Sequence, residues 1–357
     1  MAQQLQQQLH TIAIVGAGIT GLCTLLLLEE GGHPLETVAI VDPTFLGGDL
    51  VTEWGSVQSN TPWQKTLDSL RAAAPSLSLS RLERRIGDLE QSCPLSELGL
   101  AIRELARPAL DRVVKIQGLA TRVEYSSSDR TWSVAVGAGA GGLALKSRLL
   151  ILAQGATPKA LDVGLPAIPL SIALDPRRLK EVVRARDNVL VFGTMHSGTL
   201  VIRNLIEECG ANVMALYAGS AGAKPFTWSR DGAYDGIKRE AADIADRIVR
   251  GDWSGQLQVV AAAEAVDKVL RFSRGATAAV YAMGFRPREG IVLAVDGVER
   301  VLTAYDGATG AIKDVPAAWG FGVAYPNQAP DGVHWDVSVA AFLAHIKRQL
   351  PAILSHI

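Results

Sequence analysis

Hydrophobic positions in this chain gather into short uncharged runs closed by glycine, separated by stretches where charged and apolar residues repeat at helical spacing. One apolar-rich run without charge spans Thr11 to Leu28: a β-branched stretch to Val15, a glycine-interrupted turn, and an apolar run to Leu28. That pattern predicts a strand, a tight turn and a buried helix. Thr37 to Val41 predicts a second strand, and residues 66–112 predict amphipathic helices solvated on one face. From Val113 to Val136 the pattern becomes extended around Ser126-Ser127-Ser128-Asp129, which predicts a β-meander, and Gly137 to Gly142 predicts a turn. Ser147 to Pro158 reads as an apolar strand. Asn188 to Gly198 repeats the strand–turn–helix pattern, and Asn212 to Tyr217 predicts its next strand. Residues 225–253 combine a turn-rich loop with a charged helix, a candidate lid or a surface excursion. Val259-Val260 and Val269 to Ser273 read as strand, Ala278 to Pro287 as a strand ending at a glycine, and Ser338 to Leu354 as a closing helix. Residues 1–10 read as a low-complexity, disordered tail.

The run from Thr11 to Leu28 is long enough to suggest a membrane span or a signal peptide. Against both, three glycines interrupt it, no Lys or Arg precedes it, and Glu29-Glu30-Gly31-Gly32 closes it like a helix end. The chain has 357 residues, enough for two modest domains. With Lys+Arg 35 against Asp+Glu 36, nothing marks a nucleic-acid or anionic-membrane partner. Hydrophobic content of 48% with 35 glycines suits parallel strands covered on both faces. Cys23, Cys93 and Cys209 lie far apart, so neither a disulfide framework nor a C-x-x-C pair nor a metal-ligand cluster can be read. A reducing, cytoplasmic setting follows.

Candidate chemistry centres on the first turn. Gly16, Ala17, Gly18 and Gly21 stand in G-x-G-x-x-G spacing. In a dinucleotide-binding βαβ unit the first glycine permits the turn, the second admits a pyrophosphate, and the third lets helix and strand pack closely. Asp42, at the end of the second strand, is placed to bind a ribose hydroxyl. The second turn keeps Gly193 and Gly198 but carries Met195 centrally, followed by His196 and Ser197. A side chain at that point should crowd a pyrophosphate. The second strand of this unit ends without an acid, which favours NADPH over NADH, with Lys224 or Arg203 as partners for a 2′-phosphate.

Asp42 followed by Gly47-Gly48 is where the chain resembles the two-dinucleotide-domain flavoproteins, which include flavin-containing monooxygenases and pyridine nucleotide-disulfide reductases. The resemblance implies an α/β fold of two Rossmann-like three-layer domains. Residues 11–157 and 286–357 would form the FAD-binding domain, with residues 158–285 inserted as the NAD(P)-binding domain. It implies FAD at the first turn, with Asp42 on the adenosine ribose and Gly47-Gly48 beside the cofactor, and NADPH at the second. Gly155 and Gly284 mark the two crossings between domains. Ser56 to Asn60 resembles the segment that flavin monooxygenases place beside the flavin ring. By that match Asn60 is the catalytic candidate, supporting the reduced, oxygenated flavin; its other reading is a turn before Pro62. Trp54 is a cofactor-contact candidate, or packing like Trp63. Likewise, His196 reads as part of the NADPH turn or as an ordinary helix-start residue. The closing segment, Trp319 to Asn327, lacks the Asp that disulfide reductases place on the flavin ribityl chain, leaving Gly322 and Tyr325 as candidates there. The missing C-x-x-C, and a close at Ile357 soon after the second crossing, point away from dithiol exchange.

Three functions follow in order. The first is an FAD- and NADPH-dependent monooxygenase-like oxidoreductase acting on a small organic molecule. The second is an NAD(P)H:acceptor reductase or flavin oxidase without oxygen insertion. The third is a non-catalytic flavin-binding protein built on the altered second turn.

Overall fold

A computed structural model describes residues 8–137, 143–219, 224–228, 232–263, 266–329, 332 and 335–357. The tail expected over residues 1–7, most of the turn expected at 137–142 and part of the 225–253 loop lie outside the described residues. The chain divides into two compact units, Met1–Thr157 with Arg286–Ile357, and Pro158–Phe285.

In the first unit β1 (Leu9–Val15) leads through α1 (Ile19–Glu30) to β2 (Val38–Asp42), which pairs with it in parallel, Ile12 opposite Val38 and Val15 opposite Val41. Strand β1 starts at Leu9, so Leu9 and His10, expected in the tail, belong to the sheet, and His10 is 1% exposed. Four helices follow: α2 (Asp49–Thr52), α3 (Trp63–Ala73), α4 (Ser80–Ile86) and α5 (Leu95–Arg112). Next, β3 (Val114–Gln117) joins β2 in parallel rather than entering the meander that the extended pattern predicted. The meander consists of β4 (Ala120–Ser126), β5 (Thr131–Val136) and the first half of β6 (Leu143–Leu152).

Strand β6 is long because it serves two partners on one side. Its early residues pair antiparallel with β5, while Leu150–Leu152 pair in parallel with the late strand β15 (Ala318–Gly320). Its other side follows β1 in parallel. Helix α1 carries no charge between Ile19 and Leu28 and is buried on nearly every side, as a uniformly apolar helix must be. It packs against α5 and the closing helix α11 (Val339–Leu354). Ser338 caps α11, its Oγ accepting from the Ala341 N–H at 3.2 Å. No helix among the described residues is long and apolar enough to cross a membrane.

The chain passes between units at the short strands β7 (Ala156–Pro158) and β12 (Phe285–Pro287). After the second crossing, β13 (Val292–Val295) and β14 (Val298–Arg300) extend the sheet beyond β4. In the second unit, α6 (Leu170–Ala173) and α7 (Pro176–Val182) precede a parallel sheet. Its strands are β8 (Asn188–Phe192), β9 (Asn212–Tyr217), β10 (Leu257–Ala261) and β11 (Ala278–Tyr281), ordered β10-β9-β8-β11. The connecting helices are α8 (His196–Arg203), α9 (Glu240–Arg250) and α10 (Val266–Ser273). Residues 269–273, expected as strand, belong to α10: apolar positions at helical spacing look locally like a short strand.

Candidate dinucleotide sites

The first turn is built by exclusion. Gly16 has φ +106°, and a Cβ there would lie 2.2 Å from the Ala153 carbonyl oxygen. A Cβ on Gly21 would lie 2.0 Å from the Gly16 carbonyl oxygen. Both glycines are therefore demanded by the chain itself. Gly18 differs: its backbone is ordinary (φ −71°, ψ −173°), and a Cβ would meet only the Gly48 Cα, at 3.7 Å. Nothing in the chain itself excludes a side chain there, and the space above Gly18 is open. No side chain caps α1, so its first-turn N–H groups stay open to an anion. These features fit a dinucleotide pyrophosphate.

The Gly47-Gly48 turn lies directly on this one. Gly18 and Gly47 form an isolated bridge, and a Cβ on Gly48 would stand 2.7 Å from the Gly18 Cα. Asp42 joins the two turns. It is 7% exposed, and its Oδ2 accepts from the Ala17 N–H at 2.8 Å. Oδ1 accepts from the N–H groups of Thr44, at 2.9 Å, and Phe45, at 2.7 Å. The carboxylate expected to reach outward to a ribose is turned inward and largely occupied.

Other expected contacts fall in two groups. Gly322 (φ +93°) presses on the start of α1, where a Cβ would be 2.4 Å from Thr20 Oγ1. Gly155 (φ +78°) leaves room for an ion pair between Arg288 and Asp49 at 2.6 Å; a Cβ there would be 3.3 Å from Asp49 Oδ2. These two join the turn region. Tyr325 is fully buried and holds the fold: its hydroxyl accepts from Gln154 Nε2 at 2.8 Å, its ring packs on Gly320, and burial pushes its phenol up. Asn60 is exposed in the bend before Pro62, its Oδ1 accepting from Thr61 Oγ1 at 3.0 Å. The neighbouring Ser59 N–H donates to the Cys93 carbonyl at 2.8 Å, which ties this bend to the start of α5 rather than to the glycine turns. Trp54 is half-buried just after α2, and its N–H donates to the Asp49 carbonyl at 2.9 Å.

The second turn repeats the first. Gly193 has φ +101°, and a Cβ there would be 2.3 Å from the Ala282 carbonyl oxygen; one on Gly198 would be 2.1 Å from that of Gly193. Gly16 donates to Val41 at 2.8 Å, and Gly193 donates to Leu216 at 2.7 Å. Met195 adopts φ −70° and ψ −167°, close to Gly18, so its backbone is unstrained. Its side chain is 45% exposed and reaches Gly236. Thr194 Oγ1 donates to the Pro225 carbonyl at 3.3 Å. His196 opens α8 with Nδ1 buried and unpartnered among the described residues. Burial and then the nearby Lys238 ammonium lower its pKa, keeping the imidazole neutral. Ser197 follows it in the first turn of α8, half-buried. Arg203, a 2′-phosphate candidate, is engaged by Glu240 at 3.1 Å.

Thr20, Asp49, Gln154, Lys238 and Arg288 join these turns through the fold and carry no motif of their own. Asp49 follows the Gly-Gly pair directly and Arg288 follows Pro287, so adjacency to the quoted motifs was the available signal. Burial pushes the Cys23 thiol up to about 12 and the Cys93 thiol up to about 11, which disfavours their thiolates. Among the described residues no cluster of His, Cys, Asp or Glu is arranged for a metal ion.

No family model matches the sequence, and no curated protein matches it. Solved structures match its fold over nearly the whole chain. A bacillithiol disulfide reductase from Bacillus cereus aligns with TM-score 0.63 at 15% identity, covering 98% of this chain and 100% of that one. A flavin-containing monooxygenase from Stenotrophomonas maltophilia aligns with TM-score 0.63 at 13% identity, covering 98% and 99%. An ornithine N-hydroxylase from Kutzneria sp. 744, in complex with reduced FAD, NADP+ and L-ornithine, aligns with TM-score 0.62 at 15% identity, covering 98% and 99%. At these identities the likeness speaks for architecture. The chain has the two-unit, Rossmann-like fold of these solved structures.

Proposed function

We propose that the protein is an FAD-dependent, NADPH-using oxidoreductase of monooxygenase-like type that oxidises a small organic molecule. The observation that carries the reading is the duplication of one stereochemical device. Gly16, Gly18 and Gly21 under Ala153 are matched by Gly193, Met195 and Gly198 under Ala282, each turn opening an uncapped helix. Two such turns in one chain suit two dinucleotides.

When bound, FAD and NADPH would supply the redox chemistry, and this chain's residues supply position and electrostatics. The first-turn N–H groups of α1 would hold the FAD pyrophosphate, with Gly47-Gly48 and Gly322 shaping its approach. The N-terminus of α8 would hold the NADPH pyrophosphate. Neutral His196 keeps an acceptor or donor available there, and Lys238 supplies positive charge. Strand β9 ends at Tyr217 without an acid to repel a 2′-phosphate. The unpaired cysteines suit a reducing, cytoplasmic setting.

A specific observation favours a second reading, an NAD(P)H:acceptor reductase without oxygen insertion. Asn60, the residue assigned to oxygen chemistry, is exposed and bonded to Thr61 in a turn. Anaerobic mixing with NADPH followed by air separates the readings. Bleaching of a yellow protein, with oxygen consumed in step with an oxygenated product, supports the monooxygenase. Bleaching with immediate recovery and no such product favours the reductase, and a yellow protein that NADPH does not bleach overturns both.

A further inference from the structure

The second unit carries an apolar groove beside the second glycine turn, joined to it where Thr194 bonds the Pro225 carbonyl. It lies between the edge strand β10, the C-terminal end of α9 and the loop at residues 224–228, and is open to solvent, with a volume of about 470 Å³. Small-molecule sites typically occupy about 300–1,000 Å³. The walls include Phe226, Trp228, Val249, Trp253 and Leu257, with Lys224 at the rim.

Three features distinguish this groove from an incidental surface depression. Large apolar groups stand exposed together: Trp228 is 57% exposed and Val249 is 64% exposed. The aromatic wall is also braced before any ligand arrives. Trp228 lies against Tyr234 with ring centroids 4.1 Å apart, and Tyr234 donates to Asp246 at 2.6 Å. Phe226 is 3% exposed and meets Tyr234 edge-on at 5.7 Å, while the Pro225 carbonyl is held by Thr194. Preorganised aromatic rings lose little conformational entropy on binding.

Charge supplies the third feature. Arg247 stands 4.2 Å over the Trp253 ring and is itself paired with Glu207 and Asp252, and Asp252 also engages Arg250. Asp246 is taken by Tyr234. Lys224, a 2′-phosphate candidate from the sequence, lines this groove and has no carboxylate partner among the described residues, so the uncompensated charge among them is positive. We propose that this groove is a second small-molecule site, one that takes a planar aromatic compound bearing an anionic group. The rings stack on Trp228 and Trp253, and the anion meets Lys224.

The test uses the full-length protein with two fluorescent probes of one shape, anionic anilinonaphthalene sulfonate and neutral N-phenylnaphthylamine. The expected result is one saturable site, read by energy transfer from tryptophan, with the anionic probe preferred about tenfold. Lys224→Met abolishes that preference. Trp228→Ala and Val249→Asp, both at exposed positions, each weaken the anionic probe at least about tenfold with an unchanged melting temperature. Non-saturable binding, equal affinity for the two probes, or full affinity retained in both Trp228→Ala and Val249→Asp overturns the proposal. FAD and NADP+ are kept saturating throughout, so that their own sites are closed to an aromatic anion and the probe reads the groove whether or not the redox proposal holds.

Discussion

The Asp42 carboxylate faces the backbone of the first glycine turn, its Oδ2 accepting the Ala17 N–H at 2.8 Å. Thr44 and Phe45 donate to its other oxygen, so one side chain holds the end of β2, the glycine turn and the approach to Gly47-Gly48 together. A longer Glu would reach past this position; Asp is short enough to bond backwards. If bracing is its role, Asp42→Ala leaves three backbone donors without their acceptor. The flavin-free variant should then lose roughly 1–3 kcal/mol in urea denaturation, the cost of one buried unpaired donor at Ala17, since the Thr44 and Phe45 bonds are only part-buried. Wild-type stability without flavin, combined with weakened FAD affinity, would instead assign the carboxylate to the ribose.

The glycines separate by what excludes their side chain. Gly21→Ala and Gly198→Ala place a Cβ about 2 Å from a fixed carbonyl oxygen and should prevent stable folding of the unit concerned. Gly18→Ala meets nothing closer than 3.7 Å. Its melting temperature should stay near wild type while its FAD affinity falls by at least about tenfold, as the added methyl stands in the pyrophosphate space. Equilibrium dialysis against FAD, with melting curves for all three variants, checks the contrast.

Met195 occupies the matching position in the second turn with an unstrained backbone. Met195→Gly removes an exposed side chain whose Cε approaches Gly236. NADPH affinity should rise several-fold with no gain for an unrelated anion such as sulfate, as isothermal titration would record.

Buried histidines set the acid limit of stability. Burial lowers the pKa of His10, whose two ring nitrogens have no partner among the described residues, and of His345, held near about 4. Above about 6.5 both are neutral folded and unfolded, and their titration contributes nothing. Below it the unfolded chain binds protons that the folded chain refuses, so stability falls as pH drops from 6.5 toward 4. His345 alone accounts for roughly 3 kcal/mol over that window. Urea midpoints should decline accordingly, and His345→Gln should flatten the slope.

The thiols should label in order of exposure. Cys23 and Cys93 are buried with pKa values pushed up to about 12 and about 11, while Cys209 is half-buried. Brief iodoacetamide treatment of native protein at mild alkaline pH should modify Cys209 first and leave NADPH-driven flavin reduction intact. Rapid labelling of Cys23, read by peptide mass spectrometry, would contradict the burial.

Features carried by neighbouring residues were readable from the amino-acid order. The spacings of Gly16, Gly18, Gly21, Gly193 and Gly198, the uncharged run of α1 and the helical repeat of residues 66–112 depend on turn sterics and periodicity, which act over a few residues. What required the fold came from groups distant in the chain. Ala153 and Ala282 exclude a side chain at Gly16 and Gly193, and β2 lends β3 a parallel partner where the local pattern suggested a meander. The Asp42 carboxylate turns inward because folding brings it the Ala17 N–H, 25 residues away. Sequence alone determined where the turns and buried helices fall, because local backbone preferences are strong. Tertiary structure decided which polar atoms remain open for a ligand, because a donor or acceptor is spent or spared only by what packs against it.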